Sequence, residues 1–334
     1  FKKPEWWSII VSANRLKMNF SSKPMDRVLI VSTNWVGDAI MSMPAVQLFR
    51  EENPDVEITL LAKPGVMNLW KMHPAINEFQ TLGKLIPTIE KIREDHFDCA
   101  YILPNSFRSA FIPFMARISK VVGARGDWRR AMLTNIIRLG DGHQQFEAMN
   151  ILGVQGEPPA PQLNVPEKIF KGLEKGRVVT LLPGAARGPS KRWPPERFVE
   201  LAKKLIAEHD VTVVLSGGPD DAASCVKMAT AIGPEALNFA GKTTIPEWAA
   251  LLKRSDCVVA NDSGGMHLAA AVGTPVVGIF GVTDPKKTGP LGRSVILQKS
   301  KLQSREVKRN SEEAIRALSS IDVDEVCAAV LELL

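Results

Sequence analysis

The chain has 334 residues, 45% of them hydrophobic and 23% charged, with a formal net charge of +6. This is the composition of an ordinary globular protein long enough for two full cores. No run of about 18 uninterrupted apolar residues occurs, so no transmembrane helix is expected. The four cysteines, Cys99, Cys225, Cys257 and Cys327, lack metal-ligand spacing and read as buried reduced thiols of a cytoplasmic protein.

Residues 1–24 interleave Trp6, Trp7, Ile9, Ile10, Val11, Leu16, Met18 and Phe20 with Lys2, Lys3, Arg15, Lys17 and Lys23. That pattern suits an interfacial segment beside an anionic membrane, the alternative being a leader that packs on the protein. From Arg27 onward, apolar runs alternate with helical patterns. Val28–Val31 is a strand of the buried parallel type. A helix spans Asp38–Arg50, with Pro44 expected only in its early turns. Strand 56–62, helix 66–72, strand 78–82, helix 84–95 and strand 99–103 follow. The stretch 108–138 reads as basic and irregular, with seven basic residues against one acid, Asp127. The proline-rich crossing 155–166 reads as a linker. A second series then runs through strand 178–182, helix 196–208, strand 211–215, helix 220–232, strand 237–240, helix 246–255, strand 257–260, helix 265–272 and strand 275–280. Two helices close the chain, near 312–319 and 323–334. Repeated βα units with short connections imply doubly wound parallel sheets. The reading is α/β, with a leader (1–24), an N-terminal Rossmann-like domain (25–165) and a C-terminal one (166–334).

Two strand-to-helix turns stand out. Asn261-Asp262-Ser263-Gly264-Gly265-Met266-His267 follows a strand and opens a small-residue helix, presenting unpaired N–H groups and a positive dipole end to an anion. Asn34-Trp35-Val36-Gly37-Asp38 is a second such turn near the other end of the chain. The loop Pro183–Pro194 carries Arg187, Lys191 and Arg192 from the end of a buried strand, where open α/β folds bind ligands. Fixed N–H dipoles plus these cations make a diphosphate site that needs no metal. Asp38, at a helix start, is either a helix cap or a base for a nucleophilic hydroxyl. No G-x-G-x-x-G fingerprint follows the first strand. P-loop and H-E-x-x-H patterns are also absent, which counts against a nicotinamide dehydrogenase, a P-loop kinase and a zinc hydrolase.

The combination Gly37-Asp38 with Pro44, Leu103–Ala110, Pro183-Gly184-Ala185 with Lys191-Arg192-Trp193-Pro194, and Asn261–His267 resembles the ADP-heptose:lipopolysaccharide heptosyltransferases, over about residues 27–280. The resemblance implies a GT-B architecture, two Rossmann-like domains facing a cleft. It also implies inverting, metal-independent transfer of L-glycero-D-manno-heptose from ADP-heptose to the lipopolysaccharide inner core, at the inner face of the cytoplasmic membrane, with no cofactor and no nucleic-acid partner. By resemblance Asp38 is the general base. Lys191, Arg192, Asp262, Ser263, Gly264, Gly265 and His267 hold the donor, and Arg108, Arg125, Arg129 and Arg130 meet the acceptor. Ala185 and Ala186 stand where some relatives carry two threonines, so backbone N–H groups must serve there. The alternatives are a nucleotide-sugar epimerase on the same fold and a non-catalytic nucleotide-binding protein at a membrane.

Overall fold

The computed structural model describes residues 25–126, 128–186, 188–300 and 311–334. The leader 1–24, Arg187 and most of the basic tail 299–309 therefore lie outside the described residues. The described chain forms two compact units.

The first unit holds residues 25–34, 42–141 and 145–159. Its strands are β1 (Arg27–Val31), β2 (Glu57–Ala62), β3 (Glu78–Thr81), β4 (Cys99–Ile102), β5 (Lys120–Ala124) and β6 (Asn135–Ile137), in the order β3-β2-β1-β4-β5-β6. All neighbours are parallel; Val28, for example, pairs with Ile58 on one side and Cys99 on the other. Residues 28–31 are buried, as a strand covered on both faces by crossover helices must be. The helices are α1 (Val36–Glu52, which begins in the second unit), α2 (Pro64–Trp70), α3 (Leu85–Glu94), α4 (Phe107–Met115) and α5 (Gln145–Leu152).

Two expectations are corrected here. Pro44 is the ninth residue of a 17-residue helix, not an early one. The lost hydrogen bond is offset by packing, since Ala39 through Val46 are all buried. The stretch 108–138 is not irregular, for it contains α4, β5 and β6. Ser106 caps α4 by accepting the Ser109 N–H at 3.3 Å.

The second unit holds residues 35–41, 142–144 and 160–334. The chain thus crosses between units at 159/160, six residues before the end of the proline-rich stretch. Its strands are β7 (Arg177–Leu182), β8 (Val211–Leu215), β9 (Ala236–Asn238), β10 (Cys257–Asn261), β11 (Val276–Ile279) and β12 (Ser294–Leu297). They lie in the order β12-β11-β10-β7-β8-β9, again all parallel. Counted from its own first strand, this is the 3-2-1-4-5-6 order of the first unit, which places a topological switch point between β7 and β10. The helices are α6 (Pro195–His209), α7 (Ala222–Ile232), α8 (Ile245–Arg254), α9 (Gly264–Ala271), α10 (Pro285–Thr288), α11 (Glu312–Ser319) and α12 (Val323–Leu333). The last two pack Leu318, Val326 and Val330 onto the core of Val179, Val259, Phe198 and Trp193.

All four cysteines are free and buried. Burial pushes the Cys99 thiol up to about 11 and those of Cys225 and Cys257 to about 12, which leaves them unreactive. Among the described residues no helix is long and apolar enough to cross a membrane.

Candidate functional site

The switch point of the second sheet is where its loops converge. Strand β7 ends at Leu182 and releases Pro183-Gly184-Ala185, and β10 ends at Asn261 and releases Asp262-Ser263-Gly264. Buried Asn261 ties these loops together: its Oδ1 accepts the Trp193 N–H at 2.9 Å and its Nδ2 donates to the Pro183 carbonyl at 2.8 Å. Trp193 is fully buried, and its indole N–H donates to the Ile321 carbonyl at 3.0 Å. The Lys191 loop is therefore held by the sheet on one side and by the α11–α12 connection on the other.

The Lys191 ammonium pairs with the Asp262 carboxylate. Lys191 keeps 18% of its side chain exposed and Asp262 only 8%, so the cation is oriented yet open to a ligand. Arg192 does something else. Its Nε donates to the Ala185 carbonyl at 3.1 Å and its guanidinium lies 3.9 Å from Asp221, so it braces the first loop. Burial raises the Asp221 carboxyl above its ordinary range, although the Gly218 N–H donates to it at 3.1 Å.

Helix α9 starts at the same place. Its N-cap, Ser263, is extended and its side chain makes no capping bond, so the opening N–H groups are left for a ligand. Gly265 is required by close approach: a Cβ there would lie 2.8 Å from both Leu182 Cδ1 and the Trp248 ring. His267, 4% exposed, packs its ring against Gly37, where a Cβ would lie 2.7 Å from His267 Cδ2. Burial lowers its pKa to about 4, outweighing the pull of Asp262, so the imidazole is neutral at pH 7 and is no phosphate cation.

A cavity of about 340 Å³ opens at this point. Its walls include Gly184–Ala186, Lys191, Asp262–Gly265 and His267, and also Trp35–Asp38 and Met41. All of these belong to the second unit. Asp38, the third residue of α1, is half-buried at the cavity. Among the described residues, five buried side-chain N or O atoms have no hydrogen-bond partner, on Thr33, Thr59, Ser216, Trp248 and His267. The last three all line the cavity. Orphaned buried polar atoms are rare and costly, and three around one cavity mark a surface shaped for a polar ligand.

Of the sequence-predicted residues, Asp38, Lys191, Asp262, Ser263, Gly264, Gly265 and His267 thus line one cavity, and Arg192 stands behind its wall. Sequence reasoning missed Asn261 as a brace, and Ser216, Asp221 and Trp248 as lining. The run Ser216-Gly217-Gly218, a third glycine turn after a strand, was the available signal.

The four arginines of the acceptor expectation lie in the first unit. Arg108 is exposed and donates to the Gly83 carbonyl at 2.8 Å. Arg125 and Arg130 are exposed. Arg129 is the correction. It is 0% exposed, its Nε and Nη2 donate to the Ala124 carbonyl at 2.9 and 2.6 Å, and its Nη1 donates to that of Pro104 at 2.5 Å. A guanidinium enclosed in this way offers nothing to an acceptor. Among the described residues no group of three or more His, Cys, Asp or Glu is arranged to hold a metal ion.

Residues 87–315 match the family profile of glycosyltransferase family 9 (heptosyltransferase). The chain is 31% identical over 299 residues to lipopolysaccharide heptosyltransferase 2 of Escherichia coli K12, covering 79% of this chain and 85% of that one. It is 30% identical over 332 residues to lipooligosaccharide heptosyltransferase 2 of Haemophilus influenzae, covering 89% and 95%. The solved structure of E. coli ADP-heptose lps heptosyltransferase II aligns with a TM-score of 0.80 at 27% identity, over 92% of this chain and 98% of that one. The two doubly wound sheets are thus those of a GT-B heptosyltransferase.

Proposed function

The chain belongs to glycosyltransferase family 9, the heptosyltransferases, and from that premise we propose that it transfers a heptose from ADP-heptose to the heptose/Kdo inner core of lipopolysaccharide, with inversion and without a metal ion. One observation carries this reading: Asp38 shares a single cavity with Lys191 and the uncapped start of α9.

The chemistry follows from that arrangement. Asp38 accepts the proton of an acceptor hydroxyl as its oxygen attacks the anomeric carbon from the side opposite the diphosphate. The C–O bond to the diphosphate breaks, and the electron pair leaves with ADP. Negative charge grows on the departing oxygens, where the Lys191 ammonium and the N–H groups at Ser263–Gly265 stabilise it. These groups are in place beforehand, because Asp262 orients Lys191 and Asn261 holds its loop. Arg192 supports the site by fixing the Ala185 turn. His267 contributes a neutral ring that seats Gly37, the residue before Asp38. Arg108, Arg125 and Arg130 are the proposed contacts for the anionic inner core. Since that acceptor is a membrane lipid, the enzyme works in the cytoplasm at the inner face of the membrane, with residues 1–24 as the proposed peripheral contact.

The test is ADP release from ADP-heptose in the presence of a truncated, phosphorylated heptose acceptor. Release persists in EDTA, and Asp38→Asn lowers it by about 10²–10⁴ with donor affinity unchanged. Absence of release would leave a nucleotide-binding protein. Loss in EDTA that is restored by Mg²⁺ would contradict the metal-free mechanism, and near-normal turnover in Asp38→Asn would reduce Asp38 to a helix cap.

A further inference from the structure

The cavity has two chemically different walls. One is built of glycine turns, Lys191 and the start of α9. The other is largely apolar, with Trp35, Val36 and Met41 around Asp38. Trp35 is unusual among the tryptophans near the core. Trp70 and Trp193 are fully buried, whereas Trp35 keeps 53% of its surface exposed while lining the cavity. Leaving an indole in water costs hydrophobic free energy that a ligand could recover.

The backbone fixes where this indole stands. The Trp35 carbonyl accepts the Ala39 N–H at 2.9 Å, which makes Trp35 the residue that opens α1. Asp38 lies three residues on, in the first turn. The opening residue and the third helical residue lie side by side, the relation that lets their side chains meet in a capping box. An exposed aromatic face and the proposed base therefore flank the same patch of the cavity.

A pyranose ring suits that patch. One of its faces is lined with C–H groups and packs on an aromatic plane, while its hydroxyls project from the edge. We infer that Trp35 is the platform on which the acceptor's sugar ring stacks, so that its reacting hydroxyl reaches Asp38. The inference rests on the donor and base assignments above. The acceptor ring is chosen over the donor's because Asp38 must touch the acceptor hydroxyl, whereas the donor is held through its diphosphate at the opposite wall.

Trp35→Ala and Trp35→Phe in the full chain test this, with acceptor KM, ADP-heptose KM, ADP affinity and tryptophan fluorescence as readouts. Trp35→Ala raises the acceptor KM about 3–10-fold, the range for an aromatic pair. Trp35→Phe, which keeps a smaller ring, recovers part of this. ADP affinity and ADP-heptose KM stay within about twofold. Adding acceptor to the wild type changes its tryptophan fluorescence, and that change disappears in Trp35→Phe. If Trp35→Ala does not fold, the fluorescence of Trp35→Phe decides alone. An unchanged acceptor KM with the fluorescence response intact overturns the inference. So does a rise in ADP-heptose KM in place of the acceptor's, which would move Trp35 to the donor. Wild-type protein that releases no ADP would fail the parent reading instead, a result seen before any variant is made.

Discussion

The two sheets have the same strand order and differ in what fills the ends of their strands. In the first unit the protein's own groups occupy that edge. Arg129 lies buried among the carbonyls of Ala124 and Pro104, and Trp70 donates to the Ser32 hydroxyl at 2.7 Å. In the second unit the corresponding edge keeps an ammonium partly open, leaves a helix start uncapped and strands three buried polar atoms around a cavity. The first edge is largely filled by the protein's own groups, with the Thr33 hydroxyl beyond β1 left without a partner, whereas the second keeps an ammonium and a helix start open to a ligand, which is why a shared topology does not by itself say where the chemistry is.

Each unit also buries one histidine, and acid is the strongest way to probe both. Burial lowers His73 and His267 to about 4 from 6.5. A folded pKa below the unfolded one means that the unfolded chain takes up the proton first. The stability in question is complete above pH 6.5 and is lost as pH falls toward 4. At pH 5 this amounts to roughly 2 kcal/mol for each ring. The melting temperature therefore falls between pH 6.5 and 5, above the carboxylate range. Bound ADP should protect the second unit more than the first, because His267 lines the cavity and His73 does not. A flat melting temperature over that window would mean that neither ring is held neutral.

The two buried or half-buried cations give the next contrast. Arg129→Ala leaves the Ala124 and Pro104 carbonyls without their donor, at a cost of about 1–3 kcal/mol each. The variant should melt several degrees lower, and its folded fraction should keep the wild-type acceptor KM. Lys191→Ala should do the reverse, weakening ADP by roughly 1.5–3 kcal/mol with little change in melting temperature. Removing Lys191 also leaves Asp262 unpaired beside the diphosphate, so adding Asp262→Asn should restore part of the affinity. Calorimetry with ADP and adenosine separates the cases. If adenosine is weakened as much as ADP, Lys191 shapes its loop and does not contact phosphate.

This contrast also marks how far the sequence could be read. The βα alternation and the Asp262–His267 turn were legible because both are local patterns, an apolar run followed by a glycine turn and a helix start. The partners of Asn261 were not legible, because Trp193 and Pro183 lie 68 and 78 residues away. Arg129 was misread for the same reason. Its charge is visible in the sequence, but the carbonyls that enclose it come from Ala124, 5 residues away, and Pro104, 25 residues away. Strand β5 was missed because KVVGA is short and sits between basic residues, and α4 because Pro113 falls inside it. The neutral state of His267 likewise depends on burial, which spacing does not report.

The smallest expected effect belongs to the exposed arginines. Arg125 and Arg130 flank the loop that Arg129 anchors, and both point into solvent. An exposed cation gains little from folding, and neighbouring like charges repel. An inner-core acceptor with phosphates and carboxylates would relieve that repulsion and suit guanidinium geometry. Replacing Arg125 and Arg130 together with Ala should raise the acceptor KM several-fold at low ionic strength, and should flatten the salt dependence of kcat/KM because screening then has fewer charges to act on. ADP affinity and melting temperature should stay at wild-type values, opposite in pattern to Arg129→Ala. An unchanged acceptor KM at low salt would make these two arginines an ordinary solvated face. The division of labour within residues 125–130, one arginine for the fold and two for the substrate, would then reduce to the fold alone.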